Sequence, residues 1–309
     1  MNNKDSLGDR MKDYENISRN YLTRKIPVIV RIDGKAFHNF TRGLKKPFDR
    51  VLMSAMQDTM LELCKNIQGC VFGYTQSDEI TLILTDYENV DTDAWYGYNI
   101  QKIASVSASM ATAYFNTAFR NRAEAVIRDY RTNECPTTED TQYAETLTYA
   151  IKQGAMFDSR AFSLPKDEVC NCLIWRQQDA TRNSIESAGY AYLIADDMYK
   201  KNCNEVQELL FSKRGINWNN YPTDCKRGSA CYRAYVTSDM PCGDITRNIP
   251  SPPPTVLRPK WYIDTDIPIF TQDRNFIDRW VNFDEDRFDF AEKPYMSVST
   301  NSDDEQGEE

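Results

Sequence analysis

The alternation of apolar and polar residues in the first third of the chain predicts a helix, a strand, a second helix and a hairpin. Residues 5–25 place apolar side chains three and four positions apart, which favours a helix. Residues 26–34 are a β-branched run that is typical of a strand. Pro47 and Asp49 precede a second helical repeat. Residues 69–85 form two apolar runs around a polar turn, which indicates a β-hairpin.

The later pattern predicts further helices and short strands. We expect helices over 96–122 (or 96–130), 165–178, 180–198 and 205–212. We also expect strands over 156–164, 231–237 and 261–263, and a polar surface excursion over 131–148. The order strand, helix, hairpin, helix, strand, helix indicates an α+β fold with a polymerase palm-like antiparallel sheet and helices packed on one face. Many unrelated domains share this arrangement, so it does not define a function.

The predicted elements change after Gly215, and we expect three segments along the chain. Residues 1–215 would form a palm-like catalytic domain with a helical extension. Residues 216–299 would form a C-terminal α/β extension, which contains the proline-rich spacer 250–254. Residues 300–309 would be an acidic, disordered tail because they have almost nothing to bury.

The bulk composition is that of a globular protein, and we expect a cytoplasmic location. The chain has 309 residues, of which 41% are hydrophobic, and these suffice for a core. No apolar run approaches the ~18 residues of a membrane span, so we expect none. The nine cysteines are scattered, and only Cys170 and Cys172 are close in sequence. We therefore predict reduced thiols and no zinc site.

The negative charge is concentrated at the C-terminus. The net charge is −9, but ten acidic residues and only two basic ones follow Phe283, so residues 1–283 carry −1. A near-neutral body can bind RNA through local basic patches. The candidate patches are Arg19/Arg24/Lys25, Arg42/Lys45/Lys46/Arg50 and Arg120/Arg122/Arg128/Arg131. Each patch is equally compatible with an ordinary solvated face.

Two aspartates follow strand-like runs. Asp33 ends the first strand, and Asp78 lies where the hairpin meets its turn, with Glu79 on the opposite face by alternation. If the strands pair, the two aspartates meet at one edge and repel unless a cation neutralises them. Mg²⁺ fits because it takes oxygen ligands and leaves room for phosphate, and pairs of such ions serve nucleotidyl transfer. The alternative is an ordinary solvated acidic turn.

Arg31 shares the strand face of Asp33. It would contact phosphate or form a salt bridge that keeps the aspartate ionised, and the pattern does not separate these roles.

Six strings, in order, resemble the tRNA-histidine guanylyltransferase family, which adds nucleotides to tRNA in the 3′-to-5′ direction. They are Arg-Ile-Asp-Gly-Lys-Ala-Phe-His-Asn-Phe at 31–40, Lys-Pro-Phe-Asp at 46–49, Gly-Tyr-Thr-Gln-Ser-Asp-Glu at 73–79, Lys-Ile-Ala-Ser at 102–105, Phe-Asp-Ser-Arg at 157–160 and Trp-Arg-Gln-Gln-Asp at 175–179. The resemblance covers about residues 8–215.

The resemblance implies a two-metal nucleotidyltransferase. Asp33 and Asp78 would hold two Mg²⁺ with the carbonyl of Gly34, and Glu79 would support the metal site. ATP and GTP would be substrates. The residues implied in nucleotide or 5′-end binding are Arg31, Gly34, Lys35, Ala36, Phe37, His38, Lys46, Ser77 and Lys102. His38 is the single histidine of the chain, and a structural role is the alternative for it.

One string departs from the family pattern. Members that read the histidine anticodon carry His-Ile-Asn-x-x-Tyr-Asn, whereas residues 181–187 here read Thr-Arg-Asn-Ser-Ile-Glu-Ser. The chain is thus similar to the guanylyltransferase-like branch that repairs 5′-truncated tRNA against a template. The family also implies tRNA as partner and a homotetramer. The alternatives are addition of one G to tRNA-histidine, a palm-type cyclase of small nucleotides, and a non-catalytic RNA-binding protein.

Overall fold

A six-stranded antiparallel sheet forms the centre of the molecule. The computed structural model describes residues 6–133, 135–238, 256–285 and 287. The strands are β1 Val28–Gly34, β2 Cys70–Gln76, β3 Glu79–Leu84, β4 Phe157–Ser163, β5 Ser229–Ser238 and β6 Val256–Asp264. Their order in the sheet is β4-β1-β3-β2-β5-β6. The predicted proline-rich spacer and acidic tail lie outside the described residues.

The described ranges also contain ten helices. They are α1 Ser6–Ile17, α2 Phe37–Phe40, α3 Arg50–Asn66, α4 Ile100–Thr132, α5 Thr138–Gln153, α6 Lys166–Tyr192, α7 Ala195–Met198, α8 Cys203–Arg214, α9 Thr223–Arg227 and α10 Asn275–Asn282. Two 3₁₀ turns occupy Trp95–Tyr98 and Trp218–Asn220. None of the helices in this part of the chain is long and apolar enough to cross a membrane.

The alternation in β1 explains how the layers assemble. Val28, Val30 and Ile32 are buried in a core that includes residues of α3, α4 and α5. Ile29 points to a second core, which includes residues of α6 and α10. The prediction of an α+β fold with an antiparallel sheet is confirmed. The structure adds a second helical layer, because α6 and α10 cover the sheet face opposite α3 and α4.

The residues beyond 215 extend the same sheet. β5 pairs with β2, from Phe72 opposite Tyr232 to Thr75 opposite Ser229. β6 then pairs with β5 along its whole length. The predicted boundary at residue 215 therefore separates two parts of one continuous sheet.

Helix α5 is where the sequence prediction is wrong. A 16-residue helix begins inside the stretch predicted as a polar excursion and continues to Gln153, and its buried residues are Tyr143, Leu147 and Ala150. A capping box starts it, in which Thr137 and Asp140 bond to each other's main-chain N–H. The many threonine, glutamine and acidic residues in and before this helix made the stretch look polar in the sequence.

Helix α6 is also longer than predicted. It is one helix of 27 residues where the sequence suggested two, because no glycine or proline interrupts it near residue 179.

A buried carboxylate joins α5 to the start of α3. Asp49 caps α3 by accepting a hydrogen bond from the N–H of Leu52 at 3.0 Å. It also accepts one from the N–H of Lys45 at 2.9 Å and one from the hydroxyl of Tyr143 at 2.6 Å. Three donors satisfy this carboxylate, which fixes the 45–49 loop to α5.

Replacing Tyr143 by Phe should lower the free energy of unfolding by about 1–3 kcal/mol, because a buried carboxylate loses one donor. Denaturant unfolding measures this loss. Tyr149→Phe is the matched control, since Tyr149 lies on the same helix with 66% of its surface exposed. It should change the stability by less than about 0.5 kcal/mol. Equal effects of the two substitutions would contradict the assigned contact.

Candidate active site

The two predicted aspartates meet at one end of the sheet. Ser77 and Asp78 form the turn between β2 and β3, and Ser77 adopts a left-handed φ of 50°. The main-chain N–H of Gly34 donates to the carbonyl of Asp78 at 3.1 Å. Asp33 precedes that glycine and stands opposite Glu79 in the β1–β3 ladder. Strand pairing therefore brings the end of β1 against the hairpin turn.

Burial and neighbouring carboxylates act on the charges of Asp33 and Asp78. Burial is the largest cause that raises the pKa of Asp78, and the charge of Asp33 raises it further. Hydrogen bonds from its own main chain and from the Ser77 hydroxyl lower this pKa in part. The pKa of Asp33 is raised by burial and then by Asp158. The corner is thus a place where negative charge is unfavourable without a cation.

The donor set at this corner fits a divalent cation that shares its ligands with a nucleotide. Within the described ranges, no three or more histidine, cysteine, aspartate or glutamate side chains are arranged to hold a metal ion. Asp33 and Asp78 form no salt bridge with any described residue. Two carboxylates and a nearby carbonyl leave positions for phosphate oxygens, as Mg²⁺ requires in nucleotide sites.

Gly34 is required where β1 turns away from the sheet. A Cβ at this position would lie 2.3 Å from Cδ2 of Phe37. That ring cannot move aside, because it packs against Phe40, Phe115 and Phe157 in the core. The predicted metal-binding carbonyl of Gly34 therefore sits on a closely packed support.

Glu79 is engaged by helix α6. It is buried, and its carboxylate forms an ion pair with Nε of Arg176 at 2.9 Å. Arg176 also binds Asp179 at 2.5 Å. Burial raises the pKa of Glu79, whereas the charges of Arg176 and Arg31 lower it. Glu79 lies directly across the ladder from Asp33, but its carboxylate is held by the arginine.

The turn after β1 places four predicted nucleotide contacts near this corner. Lys35, Ala36 and His38 are exposed, and Ala36 has a left-handed φ of 49°. The side chain of Phe37 is 5% exposed and belongs to the core. Only its main chain is available to a ligand.

Ser77 and Lys46 lie at the same end of the sheet. Ser77 is exposed in the hairpin turn. Lys46 precedes α3, and Gln57 of that helix donates to Oγ of Ser229 at 2.9 Å. Ser229 pairs with Thr75, next to the turn, so the N-terminus of α3 points toward the carboxylate end. Lys46 itself is exposed.

The structure does not bring Lys102 to this corner. Thr112 Oγ1 accepts from the N–H of Phe157 at 3.2 Å, and Phe157 pairs with Gly34. Lys102 is ten residues earlier in α4, roughly 15 Å along the helix axis at a rise of about 1.5 Å per residue. Its ammonium lies 5.0 Å from the ring centre of Tyr96. The sequence does not show how α4 lies against the sheet, so this separation could not be predicted.

Arg31 and Asp158 complete the sheet face around Asp33. Arg31 lies on the same face, and its charge lowers the pKa of Asp33. No described salt bridge involves Arg31, so the predicted ion pair with Asp33 is an electrostatic interaction at longer range. Asp158 pairs with Asp33 in the β1–β4 ladder and is exposed. Sequence reasoning missed Asp158 because the register of β4 cannot be read from β4 alone.

The string that departs from the anticodon-reading pattern lies in α6. Asn183 is exposed on this helix. Arg182 beside it forms an ion pair with Asp179. This surface therefore continues the charged network that starts at Glu79.

A family model and a curated relative both connect this chain with the tRNAHis guanylyltransferases. The model of the tRNAHis guanylyltransferase family matches residues 8–165. The probable tRNA(His) guanylyltransferase of Dictyostelium discoideum is 28% identical over 228 residues, which are 70% of this chain and 78% of that protein. An uncharacterised protein of Acanthamoeba polyphaga mimivirus is 30% identical over 245 residues, 75% of this chain and 79% of its own.

Solved structures agree with these relatives. A bacterial tRNA(His) guanylyltransferase-like protein in complex with ATP has a TM-score of 0.70 and 38% identity, and the match covers 89% of this chain and 99% of that one. A bacterial protein of the same description in complex with GTP has a TM-score of 0.68 and 38% identity. The match with the GTP complex covers 90% of this chain and 99% of the bacterial protein.

Asp78→Asn should raise the melting temperature at neutral pH in the presence of a chelator. The raised pKa means that the Asp78 carboxyl group ionises less readily in the folded than in the unfolded protein, so the folded state loses stability as the pH rises through this pKa. The amide of asparagine does not ionise and avoids this loss. The gain should shrink as the pH falls toward about 4, near the unfolded pKa of aspartate. Thermal melts across pH measure it, with the exposed Asp129→Asn as control. A lower melting temperature of Asp78→Asn at neutral pH would argue against the charge repulsion.

Proposed function

The chain belongs to the tRNAHis guanylyltransferase family and is a nucleotidyltransferase, and we propose that it repairs 5′-truncated tRNA by templated 3′-to-5′ addition of nucleotides. The observation that carries this proposal is the meeting of Asp33 and Asp78 at the end of β1 and the hairpin turn. The likeness to proteins in complex with ATP and GTP supports nucleoside triphosphates as substrates.

Asp33, Asp78 and the carbonyl of Gly34 would hold two Mg²⁺ in this proposal. Such ions, when bound, stabilise the charge of the attacking and leaving oxygens during phosphoryl transfer. Burial and neighbouring carboxylates raise the pKa of both aspartates, which supports this assignment because a bound cation would stabilise their charged form. Glu79 would fix the corner through Arg176.

The exposed polar side chains around the corner would bind phosphate. Lys46 supplies a compact positive charge, and Ser77 and His38 supply hydrogen-bond donors. Arg31 faces the same side of β1 as Asp33 and would reach the same phosphates. These residues would hold the triphosphate and the tRNA 5′ end in line for the reaction.

The reaction joins the incoming nucleotide to the 5′ end of the tRNA. The 5′ phosphate is first activated by adenylylation with ATP, with release of pyrophosphate, or it already carries a triphosphate. The 3′-hydroxyl of the incoming nucleotide then attacks the 5′ α-phosphorus and loses its proton. A new phosphodiester forms, and AMP or pyrophosphate leaves. The base opposite the gap would select the nucleotide by pairing.

Addition of one G to tRNA-histidine is the second candidate. The names of the relatives favour it. Residues 181–187 weigh against it, because they lack the histidine and tyrosine of the anticodon-reading string. The homotetramer and the cytoplasmic location stay predictions.

Extension of 5′-truncated tRNA separates these candidates. Wild-type protein should add G opposite C and A opposite U, on tRNAs with different anticodons. Asp33→Ala and Asp78→Ala should each lower the rate by at least about 100-fold, because loss of a residue that only supports a metal ligand already costs about 10- to 100-fold. Asp129→Ala, which removes an exposed carboxylate of α4, is the matched control and should keep wild-type activity.

Three outcomes would contradict the proposal. Addition of G only to a tRNA with the histidine anticodon would favour the second candidate. A cyclic mononucleotide as product would favour a cyclase. Near-normal extension of tRNA by Asp78→Ala with Mg²⁺ would contradict the assignment of Asp78 as a metal ligand.

A further inference from the structure

Trp175 is the most exposed tryptophan of the chain. All five tryptophans lie in described residues, and Trp95, Trp218 and Trp280 are buried. Trp261 is half-buried, whereas Trp175 leaves 52% of its surface exposed. An indole of this exposure, placed beside a site of concentrated charge, needs a physical explanation.

Two arginines flank this indole. The guanidinium carbon of Arg176 lies 4.1 Å from the ring centre, and that of Arg31 lies 5.6 Å from it. Arg176 is buried and is held by Glu79 at 2.9 Å and Asp179 at 2.5 Å. The aromatic ring is therefore packed against a cation that cannot move away, which keeps it pre-organised.

The flanked indole lies beside the carboxylate corner. Arg31 precedes Asp33 by two residues on the same face of β1, roughly 7 Å along the strand. Arg176 reaches Glu79, which stands opposite Asp33 in the ladder. A nucleotide whose phosphates lie at the two aspartates therefore has an exposed aromatic surface within reach of its base.

We propose that Trp175, flanked by Arg31 and Arg176, is a stacking site for a nucleobase of the bound substrate. The proposal rests on the proposed function, because it needs phosphates at the corner. Stacking on an aromatic ring tolerates every base, since each base has a π face. That property suits an enzyme in which pairing with a template, and not the protein, selects the nucleotide. The base belongs to the incoming nucleoside triphosphate or to the 5′ end of the tRNA.

Tryptophan fluorescence tests the stacking site directly. GTP, ATP or 5′-truncated tRNA is titrated, with Mg²⁺, into wild-type protein, Trp175→Phe and Trp261→Phe. Trp261 is the matched control because it pairs with Arg233 at 5.2 Å on β6, the outermost strand on the side away from β1. The tryptophan fluorescence of wild type and of Trp261→Phe should be quenched when the ligand binds. Trp175→Phe should lose most of this quenching. Quenching by triphosphates alone assigns the incoming base, and quenching by tRNA alone assigns the RNA end.

Calorimetry measures the corresponding affinities. Trp175→Ala should bind the quenching ligand roughly 5- to 150-fold more weakly, and Trp175→Phe should retain most of the affinity because it keeps an aromatic face. Binding of Trp175→Ala within twofold of wild type, or ligand binding without quenching of Trp175, would overturn the inference. In that case, a wild type that still extends tRNA leaves the proposed function intact. A wild type that binds neither ligand would overturn both.

Discussion

Hydrogen bonding between neighbouring strands forces carboxylates together at one corner of the sheet. Asp158, Asp33 and Glu79 occupy the same level of β4, β1 and β3, and the hairpin turn adds Asp78. Main-chain pairing fixes this register, so the side chains cannot avoid one another without disrupting the sheet. Burial is the largest cause that raises the pKa of Asp33 and of Asp78, and the neighbouring carboxylates raise both values further. A corner of this kind is unfavourable alone and becomes favourable when a cation and phosphates are bound.

One arginine connects the corner to the rest of the proposed site. Arg176 neutralises Glu79, binds Asp179 within α6 and packs against Trp175. It therefore sets the position of α6 over the sheet face that carries Arg31 and Asp33. Because the ion pairs are buried, loss of Arg176 would leave an uncompensated carboxylate beside the carboxylate pair. The same contact thus supports both the fold and the proposed nucleobase contact.

Local patterns predicted the parts of the molecule that depend on neighbouring residues. Alternation found β1 and the hairpin, and Asp49 signalled the start of α3, because each signal lies within a few residues of its effect. Apart from the meeting of Asp33 and Asp78, contacts between segments far apart in the sequence were not visible. The position of Lys102 depends on how α4 crosses β4, and the contact of Arg176 with Glu79 joins segments almost a hundred residues apart.

Metal binding tests the central claim most directly. Free Mn²⁺ can be counted by electron paramagnetic resonance while it is titrated into the protein with GTP. The account predicts that wild-type protein binds Mn²⁺ more tightly than GTP alone does, and that Asp33→Asn and Asp78→Asn each lose this added binding. Unchanged Mn²⁺ binding in both variants would show that the two aspartates do not form a cation site.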